Sequence, residues 1–274
     1  MANQNILLDH TWRAFTPRAV IRYQLTPNSN LYASYSKGQK SGLFNTTVRL
    51  LPVQPETLSA FEVGYKIQAA RWRFETAAFY YDYKNLQFQN TVAGIGSITS
   101  NAGTAKSYGG EALLTYQFTE EFSAFLSGAY THARYTSFKA AVIAIRRADD
   151  LGNTIVIQDV SGKTMIRAPE WTASAGANWR HPMSSGVIEL SGNLYYTSRI
   201  YFQADEAKIY SQKPYTLLNL RAAWSPTSEK YQVAIWGKNV TDVHYMNQAS
   251  PDAASARVRY SAPIAYGVSV SFNY

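Results

Sequence analysis

The feature that most constrains this chain is a two-residue alternation of apolar and polar side chains that persists through long segments. In the stretch FEVGYKIQ (residues 61–68), one parity carries Phe, Val, Tyr and Ile, and the other carries Glu, Gly, Lys and Gln. A period of two is the period of a β-strand, whose successive side chains point to opposite faces. We count about eleven such segments and find no segment that predicts a helix. The predicted strands are residues 18–25, 31–38, 59–68, 72–89, 107–118, 122–138, 170–180, 187–202, 215–225, 231–239 and 264–274.

The connections between these segments alternate between short and long. The short ones, TPNSN, AAR, TEE, HPMSSG and PTSEK, carry residues expected of tight hairpins. One end of the structure should therefore have only turns, and the other should have all the large loops. Long strands with this asymmetry are typical of an outer-membrane β-barrel, which must close because lipid cannot satisfy an open sheet edge. The long connections are residues 38–58, 90–106, 139–169, 203–214 and 240–263.

Composition agrees with a membrane location. Charged residues make up 16% of the chain, below the roughly 25% of an ordinary soluble domain, and aromatic residues reach 14% with 21 Tyr. Many Tyr with little charge favour a surface that meets lipid headgroups. The absence of Cys excludes disulfides, Cys nucleophiles and Cys metal sites. No apolar run is long enough to predict a transmembrane helix, and the first residues lack the basic and apolar regions of a secretory signal.

Two soluble architectures compete with the barrel. A β-sandwich or jelly roll also alternates, but its strands are usually shorter and its loops lack this asymmetry. A β-propeller has a similar repeat spacing, but each repeat would need four short strands. The odd strand count is informative, because bacterial single-chain barrels have even numbers of strands. The chain is therefore either miscounted by one strand or part of a larger barrel with its first and last strands at open edges.

Motifs that suggest catalysis lack their required partners. The stretch SYSK at residues 34–37 matches the S-x-x-K of serine β-lactamases, but it lies in a predicted strand and the companion motifs are absent. The stretch SGKT at residues 161–164 lacks the first Gly of a phosphate-binding loop. The four His are widely scattered and form no metal-ligand spacing. We expect no enzymatic activity, no catalytic residues, no cofactor, no metal site and no nucleic-acid partner.

Several stretches together resemble the barrel of TonB-dependent outer-membrane receptors. They are LYASYSKGQKSGLFN (31–45), PETLSAFEVGYK (55–66), AAFYYDYKNLQ (77–87), SYGGEALLTYQ (107–117), APEWTASAGANW (168–179), YTLLNLRAAW (215–224) and WGKNVTDVHY (236–245). They occur in the order and spacing of the family. The resemblance implies a barrel of about 22 strands with an N-terminal plug, of which this chain, an all-β antiparallel transmembrane segment, matches the C-terminal half. Residues 1–274 are then one barrel domain, without the plug, the TonB-binding box or a signal peptide.

The same resemblance implies a function. We expect an outer-membrane receptor of a Gram-negative bacterium that takes up a scarce ligand, such as a ferric siderophore, energised by TonB through the missing plug. The implied partners are outer-membrane lipid and lipopolysaccharide, the barrel-assembly machinery, and an iron chelate or other small ligand. A passive porin, or an outer-membrane barrel of another function, is the alternative.

The long loops are the expected ligand surface, because function concentrates in loops held on a rigid scaffold. Arg together with Tyr suits an anionic, aromatic chelate. These basic residues could instead contact lipopolysaccharide phosphates or other loops. The candidates are Arg146, Arg147, Arg167, Arg199, Tyr201, Arg257, Arg259 and Tyr260.

The faces of the strands can also be predicted. Glu62, Lys66 and Glu111 should point into the lumen. Aromatic residues of the lipid-contacting girdles should include Trp179, Trp224, Tyr81, Tyr83, Tyr196 and Phe202. In the last strand the valines should face lipid and Ser269 and Ser271 the lumen. By resemblance, the alternating apolar residues of this strand form the signal for barrel assembly, namely Val268, Val270, Phe272 and Tyr274.

Overall fold

A computed structural model describes residues 9–45, 52–92, 96–147, 152–251 and 256–273. These residues form β-strands and one short 3₁₀ helix at Lys208–Tyr210. The strands are β1 Arg18–Thr26, β2 Ser29–Lys40, β3 Glu56–Gln68, β4 Trp72–Lys84, β5 Gln87–Val92, β6 Gly96–Asn101, β7 Thr104–Gln117, β8 Phe122–Ser137, β9 Ala141–Arg146, β10 Asn153–Gln158, β11 Trp171–Met183, β12 Gly186–Thr197, β13 Ile200–Tyr201, β14 Ser211–Gln212, β15 Tyr215–Pro226, β16 Tyr231–Lys238, β17 Met246–Pro251, β18 Ala256–Tyr260 and β19 Ala265–Phe272.

Eleven strands form one antiparallel sheet whose spatial order follows the sequence. The order is β1-β2-β3-β4-β7-β8-β11-β12-β15-β16-β19. The remaining strands make four two-stranded hairpins inside the long connections, β5 with β6, β9 with β10, β13 with β14, and β17 with β18. The all-β prediction and the count of eleven strands are therefore confirmed, and the short and long connections lie at opposite ends of the sheet.

The sheet is unclosed. Strands β1 and β19 lie at its two edges, and within the described residues neither pairs with the other. Strand β1 is followed by a short turn, and β19 is preceded by a long connection. Both therefore run toward the short-turn end, as the sequence predicted for an odd number of strands. Two open edges are what a segment of a larger barrel requires, because a complete spanning sheet must satisfy every backbone group.

Strand register divides the side chains between an apolar face and a polar face. Val63 pairs with Ala33 and Ala78, and Leu126 pairs with Leu114 and Ala175. These side chains lie on the apolar face. The polar face carries Glu62, Lys66 and Glu111, which confirms the parity predicted for these three residues.

The last strand has the predicted parity. Val268 pairs with Ile235 on the apolar face, and Val270 pairs with Val233. Ser269 pairs with Ala234 on the opposite face. Phe272 shares the apolar face, whereas Tyr274 lies outside the described residues. The proposed role of this strand as an assembly signal stays a prediction.

The girdle assignment is wrong for three of the six aromatic residues. Tyr81 pairs with Ala60 and Ser107, and Tyr83 pairs with Leu58 and Ala105, so both lie on the polar face. The neighbouring Tyr80 takes the apolar face instead, where its ring centroid lies 6.5 Å from that of Phe61. Phe202 lies in the connection after β13. The other three aromatic residues, Trp179, Tyr196 and Trp224, occupy the apolar face as predicted.

Two predicted strands are each interrupted. The segment 72–89 ends its first strand at Lys84, because Asn85 adopts a left-handed backbone with φ of 53°. The segment 187–202 breaks after Thr197, and its remainder joins the hairpin of β13 and β14. In both places the chain leaves the large sheet and enters a separate hairpin of a long loop.

The described parts of the long loops share a hydrophobic core. Tyr135 at the end of β8 is almost fully buried against the rings of Phe88 and Phe138, at centroid distances of 6.5 and 5.3 Å. Ile143 from β9 and Val160 from the connection after β10 complete the centre of this cluster. Tyr83 packs against the same cluster, which explains its position on the polar face. The loops therefore form a packed cap on β4, β7 and β8.

Helices do not provide a membrane crossing in the part of the chain that the structure describes. None there combines the length and the hydropathy that a spanning helix needs.

Candidate ligand-binding site in the long loops

A polar recess of about 470 Å³ opens where the end of β8 meets the loops around residues 164–170 and 198–206. Strand β8 supplies His132 and Arg134, which pair with Tyr108 and Lys106 of β7 near the long-loop end of the sheet. The loops supply Arg199, Tyr201 and Glu206. The recess thus gathers guanidinium, imidazole, phenol and carboxylate groups from segments far apart in sequence.

Glu206 organises one wall of this recess. Its Oε1 accepts hydrogen bonds from the backbone nitrogen of Thr164 at 2.8 Å and from Thr164 Oγ1 at 2.5 Å. Arg134 Nη1 lies 3.2 Å from the same oxygen, and Lys163 Nζ lies 3.6 Å from Oε2. Arg134 also donates to Thr164 Oγ1. One carboxylate therefore joins β8 to two loops.

The environment of Glu206 lowers its pKa below the ordinary value of 4.5. Burial alone raises the pKa, but the hydrogen bonds from Thr164 and the charges of Lys163 and Arg134 lower it further than burial raises it. A carboxylate whose pKa is lower in the folded state stabilises that state above its unfolded pKa, and loses this effect as the pH falls through the folded pKa.

We expect Glu206→Gln to loosen the loops at neutral pH and to have little effect at acid pH. Backbone amides of residues 163–166 should be about fivefold less protected from hydrogen exchange in the variant at pH 7, since a hydrogen bond to a charged group contributes roughly 1 kcal/mol more than one to a neutral group. The difference between variant and unmodified protein should shrink as the pH falls below about 4.5, the ordinary value of the Glu pKa. A difference of equal size at pH 7 and pH 3 would show that the ionised carboxylate is not responsible.

Three of the eight predicted ligand residues come together beside this recess. Arg199 and Tyr201 line it, and Arg199 Nη1 donates to Ser211 Oγ at 3.0 Å. Arg167 adjoins it through its backbone, with its nitrogen donating to the carbonyl of Tyr201 at 2.8 Å and its φ at 57°. Arg199 thus has a fixed position, which lowers the entropic cost of using its remaining donors for a ligand.

The other predicted residues lie on two separate hairpins. Arg146 pairs with Asn153 at the end of β9, and the Arg147 nitrogen donates to the Gly152 carbonyl at 2.9 Å. The Arg146 side chain is outside the part of the molecule that the structure describes. Strand β18 carries the remaining three residues, Arg257, Arg259 and Tyr260. The hairpin of β17 and β18 is joined to β14 by a hydrogen bond from the Met246 nitrogen to Gln212 Oε1 at 2.7 Å.

Sequence reasoning missed two central residues of the recess, Arg134 and Glu206. Arg134 lies in a strand rather than in a loop, and Glu206 belongs to the stretch QADEAK, which has no motif. Only the three-dimensional packing brings Glu206 within reach of Thr164, 42 residues earlier in the chain.

A second polar recess, of about 320 Å³, lies on the polar face of the sheet. Tyr32 donates from its hydroxyl to Glu62 Oε1 at 2.7 Å, and Lys66 Nζ lies 3.0 Å from Glu75 Oε2. Gly64 leaves room for the Tyr32 ring, which a Cβ at that position would overlap. The ion pair and the hydrogen bond cross between neighbouring strands, so they fix side chains on this face.

Comparisons with known proteins identify one family. A family profile described as "TonB dependent receptor-like, beta-barrel" matches residues 3–240. A search of curated protein sequences gave no significant match.

Solved structures with the same fold include three transporters or receptors. The ferric yersiniabactin uptake receptor FyuA from Yersinia pestis is 18% identical with a TM-score of 0.76, and the match covers 94% of this chain and 37% of that one. The siderophore receptor PiuA from Acinetobacter baumannii is 17% identical with a TM-score of 0.71, over 94% of this chain and 35% of that one. The copper transporter OprC is 13% identical with a TM-score of 0.69, over 94% and 39%. The chain thus spans little more than a third of each of these proteins.

Proposed function

Since the chain belongs to the TonB-dependent receptor-like β-barrel family, a family of outer-membrane barrels in Gram-negative bacteria, we propose that it forms part of a receptor that imports a scarce ligand across that membrane. The observation that carries this proposal is the family match over residues 3–240, together with the unclosed eleven-stranded sheet. In the complete receptor, other strands would pair with β1 and β19 to close the barrel.

The ligand we propose is an anionic metal chelate, such as a ferric siderophore. The recess beside β8 is lined by Arg199 and Tyr201, which follow β12 in the chain, and by Arg134 of β8. A guanidinium binds carboxylate or phenolate oxygens through charge-assisted hydrogen bonds, and a phenol ring offers an aromatic surface. Several of the similar solved structures are described as receptors for ferric chelates, and one as a copper transporter.

The proposed energy source is TonB, which would act through a plug domain formed by another part of the receptor. In this mechanism the loops and the plug bind the ligand from the outside, and force from TonB opens a path along the polar face of the sheet. No covalent bond is made or broken. We propose that the barrel residues contribute by binding the ligand and by holding the plug, with Lys66 and Glu111 among the charged groups of the polar face.

The experiment is an uptake assay with the complete receptor in cells that lack their own iron-chelate receptors. The probes are radiolabelled ferric yersiniabactin, ferric citrate and copper, which represent the ligands of the similar structures. We expect uptake of at least one probe, and loss of that uptake when TonB is deleted. Uptake that continues without TonB would contradict the proposal and favour a passive porin.

A substitution within the recess tests the binding site. Arg199→Ala should raise the concentration of probe needed for half-maximal uptake by about tenfold, because a hydrogen bond to a charged group contributes roughly 1.5–3 kcal/mol. Lys230→Ala, at the short-turn end of the sheet, is the control and should leave uptake unchanged. Equal uptake by both variants and the unmodified receptor would mean that the recess does not contact the ligand.

A further inference from the structure

The apolar face carries a row of lysines at its long-loop end. Lys37 on β2, Lys84 at the end of β4 and Lys106 on β7 all have exposed side chains on this face. Asp82 pairs with Lys106 across the strands and is the acidic side chain of the row. Arg134 continues the row on β8, but its guanidinium turns to the loops and Glu206. Among the described residues, this row therefore presents three lysines against one carboxylate.

A row of aromatic side chains lies next to the lysines, on the side of the short-turn end. The ring centroids of Tyr35 and Phe61 are 4.9 Å apart, and Phe61 is 6.5 Å from Tyr80. Lys106 Nζ lies 5.8 Å from the centroid of the Tyr80 ring. Aromatic belts mark the boundary between hydrocarbon and headgroups. The lysines therefore stand at headgroup depth, on the side of the long loops, which face the exterior in barrels of this kind.

Between the aromatic row and the short-turn end, the apolar face has a shallow groove of about 980 Å³. Small residues form its floor, where Ala78 pairs with Gly110, Ala112 pairs with Gly128, and Gly128 pairs with Ala173. Larger side chains, including Leu114, Leu126 and Trp171, surround this floor. Gly110 lies four residues along β7 from Lys106 on the same face, a distance of about 14 Å. The groove and the lysines thus form one continuous surface.

The glycine at the centre of the groove has no structural requirement. A Cβ added to Gly128 would meet its nearest atom, the Thr172 carbonyl oxygen, at an ordinary contact distance of 3.8 Å. By contrast, a Cβ on Gly64 or Gly176 would overlap an aromatic ring on the polar face. Backbone packing therefore explains Gly64 and Gly176, whereas at Gly128 the missing side chain has one visible consequence, which is a deeper groove.

We propose that this surface binds a bisphosphorylated glycolipid of the outer leaflet, with its phosphates on the lysines and an acyl chain in the groove. Lys37 and Lys106 are separated by three strand spacings, or about 14 Å. A single phosphate cannot contact both lysines, whereas a headgroup with two separated phosphates can. An acyl chain attached to that headgroup would lie on the apolar face toward the short-turn end, where the groove is.

The experiment uses the complete receptor, purified in a mild detergent and mixed with bisphosphorylated lipid A, and counts bound lipid by native mass spectrometry. We expect the unmodified receptor to retain lipid A. The double variant Lys84→Gln/Lys106→Gln should bind it roughly 25-fold more weakly, or about fivefold per lysine removed. Lys230→Gln, at the opposite end of the sheet, should bind normally. Equal binding by the two lysine variants would overturn the proposal.

The groove is tested with a second pair of variants. Gly128→Leu places a side chain in the groove and should weaken lipid A binding several-fold, whereas Ala222→Leu, on the same face outside the groove, should not. Both variants should show the heat-modifiable electrophoretic mobility of a folded barrel, because both positions face lipid. Equal binding by these two variants would remove the groove from the site.

The last comparison identifies the lipid. Monophosphorylated lipid A should bind several-fold more weakly than the bisphosphorylated form, and phosphatidylglycerol more weakly still. Equal affinity for all three would mean that the surface selects any anionic lipid, which contradicts a bisphosphate site. This assay is independent of ligand uptake, so it can fail while the proposed transport function stands, and the reverse also holds.

Discussion

Leu126→Arg in the complete receptor is expected to reduce the yield of folded protein severely, while Ser127→Arg leaves it close to normal. Leu126 lies on the apolar face, 60% exposed, between Phe122 and Tyr130 on the same side of β8. A lipid-facing Arg near the middle of the bilayer costs roughly 2–4 kcal/mol. Ser127 pairs with Leu113 and Ser174 on the polar face, which can hydrate an added charge. The measurement is the folded fraction in isolated outer membranes, from heat-modifiable mobility on gels.

This pair of variants tests the assignment of the two faces as well as the fold. Because strand side chains alternate, an error of one residue in register would exchange the roles of Leu126 and Ser127. Low yield for Ser127→Arg with normal yield for Leu126→Arg would invert the assignment of lipid and lumen. Normal yields for both would be inconsistent with a membrane-spanning strand β8.

A second large effect is expected at Gly109. A Cβ at this position would overlap the carbonyl oxygen of Tyr130 on the adjacent strand and come within 3.0 Å of the Phe79 ring. The backbone carbonyl cannot move without disturbing the ladder between β7 and β8. We therefore expect Gly109→Ala to destabilise the receptor by about 1–3 kcal/mol, the range found when groups are inserted into well-packed sites. Denaturant-dependent unfolding in detergent measures this free energy.

Gly128→Ala is the matched control, since it makes the same change one strand away in an open position. The added methyl group meets nothing closer than 3.8 Å. Replacing a strand Gly by Ala without strain should be neutral or stabilise the fold by up to about 1 kcal/mol. The two substitutions should thus have opposite signs or at least clearly different sizes. Similar losses at both positions would mean that the packing between β7 and β8 differs from the one described.

The large sheet could be predicted from the sequence because the same alternation repeats in nearly every strand. Val63, Leu190 and Val268 each mark the apolar face of a strand by parity alone, and the register agrees. The odd number of strands also followed from counting turns, and the two open edges agree with it. The inference is strong for a sheet with one face in lipid, because a shift of one residue in a strand would put the polar side chains of that strand into hydrocarbon.

Strand β4 shows where parity stops being sufficient. It has three aromatic residues on each face, with Trp72, Phe74 and Tyr80 on one and Phe79, Tyr81 and Tyr83 on the other. With three aromatic residues on each face, aromatic content does not distinguish the faces, and the prediction of Tyr81 and Tyr83 for lipid was wrong. The pairing of Phe79 with Glu62 decides the face, and that pairing involves another strand. Tyr83 has apolar surroundings because the hydrophobic core of the long loops packs against it.

The loop recess could be predicted only in part. The preference for Arg with Tyr selected Arg199 and Tyr201, which lie two residues apart and line the same recess, and their role in ligand binding stays a prediction. Nothing in the sequence relates Glu206 to Thr164 or to Arg134, because these contacts depend on how separate loops pack. The hairpins within the loops were missed for a similar reason, since their short strands carry little alternation.

In the described residues, each strand of the large sheet pairs only with the sheet strands before and after it in the sequence, and this has a consequence for the order of folding. In such a meander each new strand adds to a neighbour that is at most one loop away, so the contacts are local and the cost of closing each loop is modest. Any hairpin of the sheet can serve as a starting point, and the sheet can grow from it in both directions. In the complete receptor, β1 would pair with the strand that precedes it in the chain, and the one long-range pairing would be the seam between β19 and the first strand of the barrel. We therefore expect the seam to form last and to set the rate at which the barrel closes.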